Sequence, residues 1–223
     1  MEAVPETERT DDMATSVLDE ERKGGETRRR GQRDVGAGRG YALLLVITGF
    51  AGLLASWVIT LDKFHLLEDP DFTPACSINP VVSCGSVMKS DQASAFGFPN
   101  PMLGLATYGV VVAIGMAALA GARFRRWFWL GLEFGTLFGV CFCSWLQYQS
   151  LYEIGALCLW CCLAWVATIL MFWYTTLHNV QHGFLPAPSG VRELMGEFHW
   201  LLPAVHIGVI GMLVLTRWWD FWF

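Results

Sequence analysis

Two cysteines three residues apart, in the segment Cys158-Leu-Trp-Cys161, have the type and spacing that most directly suggest chemistry. The segment opens a long apolar run, so we predict that it begins a helix. There the first thiol faces unpaired backbone N–H groups and the positive end of the helix dipole, which favour the thiolate. Cys161 follows on nearly the same helix face, so the pair can close as a disulfide. The motif predicts thiol–disulfide exchange, although a zinc half-site or coincidence in a cysteine-rich run would give the same spacing.

A second pair, Cys76 and Cys84, lies in a polar segment earlier in the chain. Its spacing alone fits a static disulfide as well as a redox pair. Two cysteine pairs on one side of a membrane, however, allow thiol–disulfide exchange in series: electrons pass from a soluble protein to a mobile pair and then to a fixed pair. The combination favours a redox relay. We expect the other cysteines, which lie inside apolar runs, to be packing residues: Cys141, Cys143 and Cys162.

The composition places these cysteines in a membrane protein. Hydrophobic residues make up 54% of the 223 positions and charged residues 16%, which leaves too little polar surface for a soluble globule. We predict an all-α fold, with a four-helix bundle as catalytic core and a fifth transmembrane helix. These elements form one transmembrane domain over residues 41–223, with an outer redox loop at 61–100. Five apolar stretches have spanning length: 41–60, 101–122, 127–148, 154–177 and 200–216.

Residues 1–40 have a different composition. They hold 8 of the 15 Lys and Arg, 10 of the 20 Asp and Glu, and no aromatic residue. Such a segment cannot bury enough apolar surface to offset its ordering entropy, and we predict a disordered cytoplasmic tail. No small-residue cleavage site follows the first apolar stretch, so we expect that stretch to be retained.

The arginines predict the orientation of the spans. They precede the first span and fill the turn between the second and third, which places both segments in the cytoplasm. All four cysteines of the two pairs then lie on the opposite, oxidising face, where disulfides persist. The arginines concerned are Arg28, Arg29, Arg30, Arg33, Arg39, Arg123, Arg125 and Arg126.

Over residues 41–177 these features resemble the vitamin K epoxide reductase family of membrane disulfide–quinone oxidoreductases, in its bacterial form. That family carries two cysteines about eight residues apart in the loop after its first helix, and its fourth helix opens with CxxC. A serine six residues past the second loop cysteine matches Ser90. An Asn-x-x-x-Gly stretch ahead of the second helix matches Asn100 to Gly104.

The resemblance implies a role for each cysteine of the two pairs. Cys161 would be the redox centre beside a quinone, and Cys158 its partner. Cys84 would exchange with Cys158, while Cys76 would form the mixed disulfide with a soluble protein. The chain would thus be a quinone-dependent disulfide oxidoreductase that supports disulfide bond formation.

The resemblance also implies a quinone site. Asn100 would donate a hydrogen bond to one carbonyl, Val87 and Leu103 would form apolar walls, and Ser90 would belong to the same site. Trp165 stands where vertebrate members carry a tyrosine that binds the substrate, and an indole N–H can donate but not accept. Menaquinone or ubiquinone would be the electron acceptor, and we expect no metal.

The implied partner is a separate thioredoxin-fold protein of the DsbA type, because no thioredoxin-like domain follows the last predicted span. DsbA is a strong oxidant, at about −120 mV, and re-oxidising it suits a membrane quinone. The implied location is a bacterial inner membrane, with the N-terminus in the cytoplasm and the redox cysteines outside. We expect no nucleic-acid partner.

Three alternatives remain at this level. A DsbB-type oxidase also has two outer cysteine pairs on four helices, but it carries CxxC in the first loop, whereas the order here is reversed. A non-catalytic membrane protein could bind a metal through the four thiolates of the pairs, although no histidine lies beside either pair. The third is a structural membrane protein with incidental disulfides.

Overall fold

A computed structural model describes residues 34–222, so most of the predicted disordered tail lies outside the described residues. The described part is all-α, as predicted, apart from two short strands. The helices are α1 (Arg39–Glu68), α2 (Cys84–Lys89), α3 (Asn100–Leu119), α4 (Arg126–Tyr148), α5 (Leu159–Gln181), α6 (Ser189–Glu197), α7 (Leu201–Arg217) and α8 (Trp219–Trp222). A 3₁₀ turn, Asp91–Ser94, follows α2, and a π-helical turn, Gln149–Ile154, continues α4.

By length and composition, four helices can cross a membrane: α1, α3, α5, and α4 together with its π-helical turn. These are the four helices of the predicted core. The predicted fifth span corresponds to α7, which follows α6 after a bend of 68°, and the pair counts as a fifth span if it is one broken helix. The described chain therefore has four or five candidate spans.

Two helix ends differ by several residues from the predicted span limits. Helix α1 extends beyond residue 60, the predicted end of the first span: it continues to Glu68 and stops only before Pro70, which disfavours helix in the residue ahead of it. The segment between α1 and α2 therefore begins at residue 69, whereas the predicted outer loop begins at residue 61. Helix α5 begins at Leu159, whereas the predicted fourth span begins at residue 154, because Gly155 adopts a left-handed conformation with φ +68° and breaks the helix.

The last residues of the predicted tail are ordered. Strand β1 (Val35–Gly36) pairs antiparallel with β2 (Arg123–Phe124), which lies in the turn between α3 and α4. The indole N–H of Trp129 donates to the carbonyl of Val35 at 3.1 Å. Backbone pairing, which composition does not reveal, holds this segment at one end of the bundle. We call this the arginine end, and the end with the outer loop and residue 158 the cysteine end.

Close packing of α1 against α3 depends on small residues. A Cβ atom added at Gly115 would lie 2.8 Å from Val46 Cγ2 and 3.0 Å from the Val46 nitrogen, and one added at Gly49 would lie 2.8 Å from Val112 Cγ2. Glycines allow such approach between membrane helices. Helix α5 packs against α1, α4 and α7, so α1 and α5 form the centre of the bundle.

We predict that Gly115→Ala destabilises the bundle, because its methyl group must push α1 away from α3. Overpacking of this kind costs about 1–3 kcal/mol. The matched control is Gly109→Ala, on the same helix, where an added Cβ has no atom within 4 Å. Thermal unfolding in detergent should show a lower midpoint for the first variant only. Equal midpoints would contradict the close approach.

Candidate active site

The loop cysteines form a disulfide. Cys76 and Cys84 are bonded, with their Cα atoms 5.6 Å apart. Cys84 is the first residue of α2, and the Ser83 hydroxyl caps this helix by accepting from the Ser86 N–H. The Ser77 hydroxyl accepts from the Gly85 N–H at 3.1 Å, which ties the loop to the same helix start. The pair predicted from its spacing is therefore within bonding distance.

Cys158 and Cys161 are free thiols at the start of α5. Cys158 occupies the N-cap position, and its sulfur accepts the Cys161 backbone N–H at 3.4 Å. The pKa of Cys158, just ahead of the spanning helix, is lowered chiefly by a hydrogen bond from the Cys161 side chain. The backbone N–H groups of Cys161 and Trp160 act in the same direction, whereas burial opposes them. Cys158 is therefore suited to react as a thiolate.

A short backbone bridge holds the two pairs together. Val82 and Leu157 form an isolated parallel β-bridge, in which the Ser83 N–H donates to the Leu157 carbonyl at 2.9 Å and the Leu157 N–H donates to Val81 at 2.7 Å. Cys84 lies two residues past Val82, and Cys158 follows Leu157. One buried apolar cluster contains both of these cysteines together with Cys76, Ile59, Leu66 and Met88, and Cys161 packs against it.

Local turns present the bridging residues. The Asn79 side-chain oxygen accepts the backbone N–H groups of Val81 and Val82 at 3.0 and 2.7 Å, as expected of an Asn-Pro turn. On the other side, the left-handed Gly155 turns the chain out of α4, and the Ser150 hydroxyl donates to the Ala156 carbonyl. These two turns lie far apart in sequence. One places the Val82 segment and the other the Leu157 segment so that the two can pair.

Exposure differs among the four cysteines. Cys84 is 0% exposed and Cys158 1%, whereas Cys76 retains 7% and lines a small surface groove with Ala75, Ile78, Leu159, Trp160 and Leu163. Cys161 alone among the four lines a large, partly open cavity. Access therefore differs at the two ends of the cluster: Cys76 faces the surface and Cys161 faces the cavity.

The cavity has a volume of about 610 Å³ and lies between α3 and α4, with α1 and α5 as further walls. Its lining is mainly apolar. It extends from residues at the cysteine end to Trp127 and Phe128 near the arginine end. The residues predicted for a quinone site all line it: Asn100, Trp165, Val87, Leu103 and Ser90.

The polar groups at the cysteine end of the cavity are mostly engaged. The Asn100 amide donates to the Gln92 carbonyl at 2.7 Å, and its oxygen accepts the Ala95 N–H at 3.0 Å, which leaves one N–H of the amide for a ligand. The Ser90 hydroxyl donates to the Val87 carbonyl at 2.7 Å. Trp165 is buried, in a cluster with Val81 and Leu157.

The sequence interpretation missed three cavity residues. Lys63 donates to the Met88 carbonyl at 2.7 Å and so caps the last turn of α2. Tyr108 and Thr168 pair across the bundle at 2.7 Å. Lys63 could have been suspected as a charge beyond the first apolar run, and Tyr108 as a polar residue inside the second. Their partners, at separations of 25 and 60 residues, give no local signal.

Of the cysteines expected to be packing residues, Cys143 lines the cavity, where its thiol donates to Thr168 at 3.8 Å. Cys162 packs against the Trp165 cluster, and Cys141 is exposed. Within residues 34–222 no group of three or more His, Cys, Asp or Glu is arranged to hold a metal ion. The Cys76–Cys84 disulfide also engages two of the four thiolates that the alternative metal site would need.

Comparison with known proteins agrees with this arrangement. No curated protein matches the chain. The model of the vitamin K epoxide reductase family matches residues 43–176, more than half of the chain. This range includes both cysteine pairs, all of α3 and α4, and most of α1 and α5. The chain, a multi-pass membrane protein with two cysteine pairs, belongs to the vitamin K epoxide reductase family.

Proposed function

We propose that the chain re-oxidises a thioredoxin-fold protein outside the cytoplasm and passes the electrons through its two cysteine pairs to a membrane quinone. Membership of the family implies a membrane thiol–disulfide oxidoreductase, and the family is generally linked to quinones and thioredoxin-like partners. One observation carries the finer proposal: the two pairs share a buried cluster whose surface side is Cys76 and whose cavity side is Cys161.

The relay begins at the surface, with both pairs oxidised. A thiolate of the reduced partner attacks the sulfur of Cys76, because Cys76 is more exposed than Cys84. The Cys76–Cys84 bond breaks, and Cys84 leaves as a thiolate. The second thiol of the partner then attacks the mixed disulfide. The partner departs oxidised, and Cys76 and Cys84 hold the two electrons.

The electrons next move inward. The Cys84 thiolate attacks Cys158, and Cys161 is released from its disulfide. Cys76 then attacks Cys84, which restores the loop disulfide and releases Cys158 as a thiolate whose lowered pKa makes it a good leaving group. The result is an oxidised loop pair beside a reduced Cys158 and Cys161.

The cavity fits a quinone. Its volume is typical of a small-molecule site, and its apolar walls with a few polar groups match a flat ring with two carbonyls. A quinone bound there accepts two electrons and two protons. Cys158 and Cys161 supply the two electrons and close their disulfide, and the two protons are those that the partner's thiols gave up when they were oxidised. Asn100 orients one carbonyl through its remaining N–H, while Val87 and Leu103 exclude water and Ser90 holds the end of α2 beside them.

The orientation follows from charge. Arg123, Arg125 and Arg126 at one end of the bundle support a cytoplasmic location for that end and for the N-terminus. The cysteine end then faces the oxidising side of a bacterial inner membrane. A separate DsbA-type protein would be the electron donor there, and menaquinone or ubiquinone the acceptor.

Replacing Cys161 with alanine should abolish catalytic oxidation of a DsbA-type partner, because Cys158 then has no thiol with which to return electrons to the quinone. The measurement is partner oxidation over many turnovers in quinone-containing liposomes. Cys162→Ala is the matched control: it removes the next thiol, for which we propose no redox role, and should turn over at nearly the wild-type rate. Sustained oxidation by the Cys161 variant would refute the relay.

In a Cys84→Ala chain Cys76 is a free thiol, so we expect it to attack the disulfide of an oxidised DsbA-type partner and to release one partner thiol. The mixed disulfide should accumulate on Cys76, because the chain no longer has a neighbouring thiol to resolve it. Mass spectrometry of the trapped species identifies both the partner and the cysteine that holds it. Cys76→Ala serves as the control and should trap nothing at position 76. A mixed disulfide that forms on Cys158 instead would show that the order of the relay is wrong.

A further inference from the structure

The Tyr108 side chain crosses the centre of the bundle. Its ring packs against α1 at Gly52, where an added Cβ would lie 2.6 Å from the Tyr108 Cζ atom. Its hydroxyl reaches α5, 2.7 Å from the Thr168 hydroxyl and 3.3 Å from the Ala164 carbonyl. Tyr108 and Thr168 both line the large cavity. The hydroxyl of Tyr108, a residue of α3, therefore passes Gly52 of α1 and lies beside α5, the helix that also contains Cys161.

The position along the bundle is defined by helix geometry. Helices α3 and α5 both begin at the cysteine end, and Asn100 and Cys161 lie in their first turns. Tyr108 lies eight residues beyond Asn100, and Thr168 seven beyond Cys161, which corresponds to roughly two helical turns in each case. The part of the cavity near Cys161 therefore has Asn100 at its outer side, toward the cysteine end, and the Tyr108–Thr168 pair at its inner side, toward the arginine end.

The Tyr108 hydroxyl can turn to a ligand without leaving a buried group unpaired. Thr168 donates its own proton to the Ala164 carbonyl at 2.8 Å, so that both keep a partner when Tyr108 donates elsewhere. Other threonines on the cavity wall are engaged within their own helices. Thr107 donates to the Leu103 carbonyl at 2.9 Å, and Thr136 donates to the Glu133 carbonyl at 3.0 Å.

We infer that Tyr108 donates a hydrogen bond to the inner carbonyl of the quinone, with Thr168 as its positioning residue, while Asn100 donates to the outer carbonyl. The inference rests on the proposed quinone site. It identifies the ligand as a quinone ring with two opposed carbonyls held on either side of Cys161. Tyr108 only orients the carbonyl and retains its proton, because the two protons of the reduction are those given up by the partner's thiols.

The chain provides a matched control. Tyr41 donates to the Thr175 hydroxyl at 2.8 Å, and Thr175 donates to the Met171 carbonyl at 2.6 Å. This repeats the Tyr108–Thr168–Ala164 arrangement seven residues along α5. Met171 is part of the cavity lining, but Tyr41 and Thr175 are not. Tyr41→Phe therefore removes the same type of bond from the bundle but none from the cavity.

The test uses the full chain in detergent with both cysteine pairs oxidised, so that the chain cannot reduce its ligand, and ubiquinone-1 is the probe. It records the infrared carbonyl stretching bands of the bound quinone. Wild type and Tyr41→Phe should both show two carbonyl bands lowered by hydrogen bonding. Tyr108→Phe should return one band to the frequency of a free carbonyl and weaken binding roughly three- to tenfold. Asn100→Leu should affect the other band.

The outcomes separate this inference from the proposed function. Unchanged bands and affinity in Tyr108→Phe would overturn the inference while leaving the relay standing. An equal loss of quinone affinity in the Tyr41→Phe and Tyr108→Phe variants would show that the Tyr108 hydroxyl has a purely structural role, and it would also overturn the inference. If a reduced wild-type chain binds the quinone with two lowered bands but its thiols are not oxidised, the relay is refuted and the inference is supported. A wild-type chain that does not bind the probe would refute both.

Discussion

The backbone bridge between Val82 and Leu157 is the constraint on which the active site depends. Thiol–disulfide exchange requires that one sulfur reach another, and the two cysteine pairs lie on segments more than seventy residues apart in sequence. The bridge fixes the start of α2 beside the start of α5, so Cys84 and Cys158 share one buried cluster. Lys63 and the Asn79 turn support the same junction from the loop side.

Burial at this junction gives the relay a direction. A thiol with no access to solvent can exchange only with its neighbours, which is the situation of Cys84 and Cys158. Access remains at the two ends, at Cys76 toward the surface groove and at Cys161 toward the cavity. In the proposed relay, the same apolar packing that stabilises the cysteine end separates the water-soluble electron donor from the lipid-soluble acceptor, so that electrons pass through both pairs.

Local signals in the sequence predicted much of this arrangement. Apolar runs of spanning length identified the four core helices, and a CxxC at the head of such a run identified the start of α5. The end of α1 was not predicted, because a charged residue, Asp62, closes the apolar run while the helix itself continues to Glu68. The bridge and the Tyr108–Thr168 contact were missed for another reason. They join residues 75 and 60 positions apart, and only packing through Gly52 and the turn at Gly155 brings them together.

The central claim, that electrons come to rest on Cys158 and Cys161 before they reach a quinone, can be measured directly. Wild-type protein in quinone-depleted liposomes is mixed with a reduced DsbA-type partner, free thiols are alkylated, and the labelled cysteines are identified by mass spectrometry before and after a quinone is added. The relay predicts labels on Cys158 and Cys161 with Cys76 and Cys84 still joined, and loss of both labels once quinone is present. Labels that stay on Cys76 and Cys84, or that persist after quinone addition, would contradict it.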